Sequence, residues 1–261
     1  MYICNKCIIY YCIMKRICYF KYILIFILLL NLFLNIPIIT FAQDTSRCKK
    51  NYDLGLTTDL VSRYIWRGQD YYNNPSIQPT LFFSWGGFTI CSWGSFSVAN
   101  TDIQETHLFT SYTYKFISLG VYDYFFMDYA RDPITGSMKC NNYFEYGKET
   151  KHVLEADMTL SGPEKLPLKF FAAYNFYGND NNKSTYFELS YTGSIKKTKF
   201  DAFLGCTPQK GWYGTTSGIV NVGVTGYKSI KINENYEILF KTSLITNPQA
   251  ENIYLVFGIT L

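Results

Sequence analysis

Asn252-Ile253-Tyr254-Leu255-Val256-Phe257-Gly258-Ile259-Thr260-Leu261 stands at the C-terminal end of the sequence, and its period is two. Ile253, Leu255, Phe257, Ile259 and Leu261 alternate with Asn252, Tyr254, Val256, Gly258 and Thr260, so an extended chain gathers those five apolar side chains on one face. A helix would scatter them around its circumference. The segment is a strand with one wholly apolar side.

The same alternation recurs upstream. In Thr106 to Phe116, Leu108, Tyr112, Tyr114 and Phe116 oppose His107, Ser111, Thr113 and Lys115. In Val153 to Leu160, Leu154, Met158 and Leu160 oppose Glu155 and Asp157, and in Thr185 to Thr192, Phe187, Leu189 and Tyr191 oppose Tyr186, Glu188 and Ser190. Charges within a strand keep to one face. Twelve such segments are expected, near residues 53–66, 76–85, 88–97, 104–115, 118–127, 150–161, 167–177, 184–194, 198–206, 217–227, 235–245 and 251–261. The expected fold class is all-β.

Composition agrees. Hydrophobic residues make up 48% and aromatic residues 19%, with 24 Tyr and 21 Phe, side chains that suit a pleated, half-buried surface. Mean hydropathy is close to zero, too polar for a bundle of membrane helices, while the aromatic content is too high for disorder. The formal charge of +4 is local: no acidic residue precedes Asp44, whereas Lys6, Lys15, Arg16 and Lys21 do. Without those four, the basic residues equal the 20 acidic ones. A neutral remainder offers no basic stripe for phosphates, which argues against nucleic acid as a partner.

The first forty-odd residues read as an export signal. From Met14, a possible true start, Lys15, Arg16 and Lys21 form a basic region, Tyr22 to Leu34 an apolar one, and Thr40-Phe41-Ala42 a cleavage site. Residues 1–42 are therefore expected to depart and residues 43–261 to form one domain. An uncleaved anchor is the alternative, although Asn31, Asn35 and Pro37 interrupt the apolar run. Cys4, Cys7, Cys12 and Cys18 fall in the leader; Cys48, Cys91, Cys140 and Cys206 remain, widely spaced and without a zinc-like pattern, either paired in an oxidising compartment or free.

Connection lengths give the strands a geometry. Gly86-Gly87, Lys115 to Ser118, Gly162 to Leu166, Ser194 to Lys197 and Lys228 to Asn235 are short or fairly short; Arg67 to Pro75, Val98 to Ile103, Asp128 to Glu149 and Thr207 to Thr216 are mostly longer and polar. Tight turns at one end and long loops at the other, with an even strand count, are the habit of outer-membrane barrels. A single closed antiparallel transmembrane β-barrel of about twelve strands is expected, with apolar residues toward lipid and polar ones toward the lumen. A soluble barrel is the structural alternative.

Ser62-Arg63-Tyr64-Ile65-Trp66-Arg67-Gly68, then Ser76-Ile77-Gln78-Pro79, then Trp93-Gly94-Ser95 resemble the opening of the TorF-type porin family, the Gcw_chp outer-membrane proteins. The resemblance covers residues 53 to 97 and rests on an S-x-Y-x-x-R-G strand, a strand carrying Gln and a W-G-S strand. It implies an outer-membrane location, with the lipid bilayer and, through the last strand, the barrel-assembly machinery as partners. It also implies a porin role for small solutes. The terminal Leu261 departs from the terminal aromatic usual in such barrels.

If Leu60, Tyr64 and Trp66 face lipid, parity turns Asp59, Arg63 and Arg67 inward, since Arg at mid-membrane on the lipid side costs about 2 to 4 kcal/mol. Gln78, His107, Lys115, Glu155, Asp157 and Glu188 complete the expected lumen lining. Arg63 and Arg67 then either favour anionic or polar solutes at a constriction or brace the wall by pairing with Asp59, Glu155, Asp157 or Glu188. His107 and His152 have acidic neighbours, but no G-x-S-x-G elbow accompanies them, so a barrel hydrolase is disfavoured and no catalytic residue is assigned. No cofactor or metal is expected. A non-conducting structural or adhesion barrel is the main rival, its lumen closed by Phe109, Phe171, Phe203 and Tyr254 or by the Asp128 to Glu149 loop.

Overall fold

The computed structural model describes residues 52–99, 104–131, 137–196, 198–234 and 236–261. Its sixteen strands are β1 (Tyr52–Val61), β2 (Ile65–Trp66), β3 (Gln69–Asp70), β4 (Ser76–Trp85), β5 (Phe88–Ser97), β6 (Gln104–Tyr114), β7 (Ile117–Met127), β8 (Tyr129–Arg131) and β9 (Met138–Cys140), followed by β10 (His152–Ser161), β11 (Leu168–Gly178), β12 (Thr185–Ile195), β13 (Thr198–Thr207), β14 (Gly218–Asn233), β15 (Tyr236–Asn247) and β16 (Asn252–Thr260). Twelve of them close into an antiparallel barrel in which each strand pairs with its chain neighbour and β1 joins β16 to β4; β2–β3 and β8–β9 are separate two-stranded ribbons. The export signal proposed for residues 1–42 and Cys48 lie outside the described residues.

Which side of the wall each residue takes follows the alternation. On β16, Ile253, Leu255 and Phe257 are 69, 71 and 67% exposed, while Val256 and Gly258 between them are buried. Every barrel strand contributes large hydrophobic side chains to this outer surface, β10 through the half-buried Leu154, Met158 and Leu160. The opposite parity carries Thr57 and Asp59 on β1, Gln78 and Ser84 on β4, Glu105 and His107 on β6, and Glu188 and Thr192 on β12. The protein is thus apolar outside and polar within, the reverse of a soluble barrel.

Two ends differ as the loop lengths imply. Gly86-Gly87 and Lys115-Phe116 are two-residue turns closing the Trp85↔Phe88 and Tyr114↔Ile117 pairs, whereas residues 62–75, 128–151 and 208–217 form long connections at the other end. The buried core lies inside the barrel at this loop end, where Ala173, Tyr186, Tyr213 and Val220 cluster against Trp66, Phe171 and Trp212. Three of these, Trp66, Trp212 and Tyr213, come from connections, so loops that fold inward build the core.

Two strands differ from expectation: β14 runs on to Asn233, past its expected end near residue 227, and β1 stops early. β1 ends at Val61, not near residue 66, and the chain then turns into the lumen. Tyr64 and Trp66 consequently pack inside, Tyr64 tilted against Trp93 at 5.4 Å between ring centroids and Trp66 edge-on to Tyr124 at 5.4 Å, and neither faces outward. The reason is local. Ile65↔Asp70 and Trp66↔Gln69 pair around Arg67-Gly68, both with positive φ (50° and 79°), the two-residue turn of a tight hairpin.

Candidate functional site

The tip of that hairpin is the centre of the lumen. Gly68 passes so close to β14 that a Cβ there would lie 2.0 Å from the Val220 carbonyl oxygen, so only glycine fits. Its own carbonyl accepts from Asn247 Nδ2 at 3.2 Å. Arg67 beside it reaches Glu155 on β10: Nη1 donates to Oε2 at 2.5 Å and Nη2 to Oε1 at 2.8 Å, a bidentate pair. Tyr213 Oη accepts from Arg67 Nη1 at 2.6 Å and donates to Glu155 Oε2 at 2.8 Å, and Tyr124 donates to Oε1 at 2.9 Å. The guanidinium also lies over the rings of Trp66, Tyr186, Tyr213 and Phe171, at 4.6, 4.8, 4.9 and 5.2 Å.

This pairing settles the protonation of the loop residues. Burial disfavours the Arg67 cation, but Tyr124, Glu155 and Tyr213 outweigh it and hold its pKa well above the ordinary value. Burial pushes the Tyr213 hydroxyl up, so it remains a donor at any physiological pH.

A second loop locks the plug. Gln69 Nε2 donates to the Trp212 carbonyl at 2.6 Å, and the Trp212 N–H donates to Ser184 Oγ at 2.8 Å. Ser184 belongs to the 179–184 connection, organised by Asp180, which accepts from Asn175 Nδ2 and the Ser184 N–H at 2.8 Å each. Burial raises the Asp180 carboxyl, yet these donors prevail and hold it below its usual range. Three inward-turned connections therefore support one another across the lumen.

Below the hairpin, toward the tight-turn end, lies a chamber of about 330 Å³ lined by Tyr64, Trp66, Arg67, Gln78, Trp93, His107, Phe109, Tyr122, Tyr124 and Phe171. Phe109 and Tyr122 stack at 4.4 Å, and the His107 ring packs on Trp93 at 5.1 Å and on Tyr124 at 4.9 Å. Residues of all three motif pieces, Tyr64 and Arg67, Gln78, and Trp93, meet on this one wall. No protein-family model matches the chain, and no curated protein matches it.

The expected lining residues sort into four groups. Arg67, Gln78 and His107 line the chamber. Glu155 holds the plug, and Asp157 points inward one layer below it, opposite Gly120. Asp59 and Glu188 line the wall away from the chamber: Asp59 accepts from Lys241 Nζ at 2.5 Å and from Thr260 Oγ1, while Glu188 Oε2 accepts from Tyr186 at 2.5 Å and from Asn221 at 3.0 Å. Arg63 and Lys115 leave the wall. Arg63 stands at the mouth, paired with Asp70 at 2.9 Å, and Lys115 is an exposed residue of a tight turn with φ of 55°. Lys115 misses the lumen because the strand has already ended.

Arg67 thus pairs with one of the carboxylates anticipated for it, whereas the partner of Arg63 is Asp70, which reaches it because the chain leaves the wall after Val61 and folds back at Arg67-Gly68. The two histidines lie on opposite sides of the wall. His107 Nε2 is 2.9 Å from Glu105 inside, but off hydrogen-bonding geometry. His152 faces outward, its Nδ1 2.6 Å from Asp123 and its Nε2 2.6 Å from the Tyr143 carbonyl, away from Glu155 and Asp157. Of the bulky residues expected to close the lumen, Phe109 and Phe171 line the chamber, and Tyr254 lies under Arg63 at 5.9 Å. Cys91, Cys140 and Cys206 carry free thiols. Trp212 and Tyr213, absent from the sequence-derived set, were signalled only by two adjacent aromatics between glycines in an otherwise polar loop, Gly211-Trp212-Tyr213-Gly214.

Proposed function

We propose that this protein is an outer-membrane β-barrel channel for small polar solutes, closed at rest by the Arg67 hairpin. The observation that carries the reading is the inverted wall: a closed cylinder presenting Leu56, Leu255 and Phe257 at about two-thirds exposure or more, around a lumen of carboxylates, hydroxyls and amides. In water such a surface is a large aggregation liability; in lipid it is the solvated face. The tight turns then face the periplasm and the long connections, with the plug, face outward. The resemblance of residues 62–95 to TorF-type porins points the same way.

The plug favours a gated channel over an open one. It is a six-residue ribbon inserted between β1 and β4, while the wall behind it is continuous without it. The density of bonds on Glu155 favours the second reading, a barrel that never conducts.

Expression with the leader in a bacterium with two membranes, fractionation, and planar-bilayer recording of the purified barrel decide between them. The expected outcome is recovery in the outer membrane, a band that shifts on heating, and rare openings that become frequent in Arg67→Ala. Silence from the wild type and from a variant with residues 64–71 replaced by Gly and Ser would leave the non-conducting barrel.

A further inference from the structure

The charges of the lumen do not cancel. Arg63, Arg67 and Lys241 each hold a carboxylate, Asp70, Glu155 and Asp59 respectively. Four further inward carboxylates, Glu105, Asp157, Glu188 and Asp201, have no Lys or Arg within salt-bridge distance among the described residues; Glu105 has only His107. Lys169, Lys199 and Lys231 share the inward parity, as do Asp53 and Glu237, but all five stand exposed toward the tight-turn end, away from the chamber.

Two of these carboxylates lie just behind the chamber wall, outside its lining, each with a buried oxygen unused. Asp157 Oδ2 is buried without a hydrogen-bond partner, and Asp157 lies one layer below the Tyr122↔Glu155 pair, so it is next to the chamber floor. Glu105 Oε1 is likewise buried and unpartnered, on the side facing Tyr64 and Trp66. A carboxylate oxygen removed from water without a donor is costly, and a cation relieves that cost. Between them stand Trp66, Trp93, Phe109, Tyr122, Tyr124 and Phe171, aromatic faces that attract cations. The lumen already contains one example: the Arg67 guanidinium sits among four rings with a carboxylate at its end.

We propose that the chamber binds a small organic cation carrying a guanidinium or alkylammonium group. Aromatic walls hold its faces, and Asp157 and Glu105, one layer behind those walls, supply the negative field that favours its charge. A volume of about 330 Å³ lies at the lower end of small-molecule sites, suited to a solute of amino-acid size. The proposal deepens the channel reading and rests on it for the solute's route. It also reverses the anion preference that Arg63 and Arg67 suggest in the sequence, because both arginines are neutralised. The same guanidinium chemistry in a solute would compete with Arg67 for Glu155 and loosen the plug.

Trp66 and Trp93 report on the chamber directly. The purified full barrel is titrated with methylguanidinium chloride, tetramethylammonium chloride, glucose and sodium acetate while tryptophan fluorescence is followed, and the reversal potential is measured in a potassium chloride gradient. Saturable change is expected with the two cations and none with glucose or acetate. Asp157→Asn should raise the half-saturating concentration about tenfold, equivalent to about 1.4 kcal/mol. Glu105→Gln serves the same purpose if Asp157→Asn fails to fold. A reversal potential of cation-selective sign supports the proposal. Equal saturation by glucose or acetate, an unchanged half-saturation in both variants, or anion selectivity overturns it. Cation binding by a barrel that never conducts supports the site and sinks the channel; conduction without cation binding does the opposite.

Discussion

Glu155 is wholly buried and takes four hydrogen bonds from three residues, each on a different element: Arg67 at the hairpin tip, Tyr213 in the 208–217 connection and Tyr124 on β7. A charge so placed is tolerated only while its partner stays. Removing the cation leaves a carboxylate that two hydroxyls cannot neutralise, and breaking a buried pair from one side typically costs about 3 to 5 kcal/mol. Arg67→Ala is therefore expected to lower stability in urea titrations of the reconstituted barrel by roughly that amount. Glu155→Gln on top of it should restore part of the loss, since the orphaned charge goes too. Additive losses in the double variant would mean the hairpin is held by its rings rather than by this pair. Arg67→Lys is no conservative exchange here, because an ammonium cannot reproduce the two parallel bonds or the planar stacking.

At the scale of elements, the seam between β1 and β16 is the thin part of the wall. β1 registers with β4 over ten residue pairs, Tyr52↔Trp85 through Val61↔Ser76, but with β16 over only three, Asp59↔Thr260, Leu60↔Ile259 and Val61↔Gly258. Backbone bonds between Thr58 and Leu261 and from Ser62 to Phe257 extend it, and Asp59 bridges it by accepting from Thr260 and Lys241. Asp59→Ala should therefore open the barrel here first: amides of Leu60, Ile259 and Thr260 are expected to exchange with deuterium faster than those of β13 and β14, while the rest of the wall stays protected. Uniform acceleration around all twelve strands would show that Asp59 braces no particular seam. The strands themselves were legible because period two is a strong signal when one face is wholly apolar, as on β16. The hairpin was not, because Leu60, Tyr64 and Trp66 keep the alternation going past Val61; only Arg67-Gly68, which needs two positive φ values, marks the turn. The facing of His152 was equally hidden: both its hydrogen-bond partners, Asp123 and the Tyr143 carbonyl, come from elsewhere in the chain, and the two acids nearest in sequence, Glu155 and Asp157, point the other way.

For the whole molecule the decisive property is the solvent its outer surface requires. Leu56 on β1, Leu119 on β7, Leu244 on β15 and Leu255 on β16 are 71, 57, 47 and 71% exposed, and they belong to one band that circles the barrel. In water each is an ordinary exposed leucine, and replacing one by arginine is neutral or favourable, since scattered surface changes seldom exceed about 0.5 kcal/mol. In a bilayer the same change places a cation in hydrocarbon and costs about 2 to 4 kcal/mol at the midplane, falling to about 0 to 1 near the interfaces. Folding equilibria of Leu255→Arg and Leu56→Arg, measured by chemical denaturation in lipid vesicles, should show that penalty, and a series of Arg substitutions down β16 at residues 253, 255, 257 and 259 should trace a peak at the membrane centre. The inward neighbour Val256 gives the control for direction: a charge there meets the lumen, so its cost reflects packing and does not depend on depth in the bilayer. A flat profile along β16, with Arg at residue 255 as well tolerated as on a soluble surface, would remove the membrane from the account and with it the channel, leaving a closed barrel that must find another cover for its apolar band.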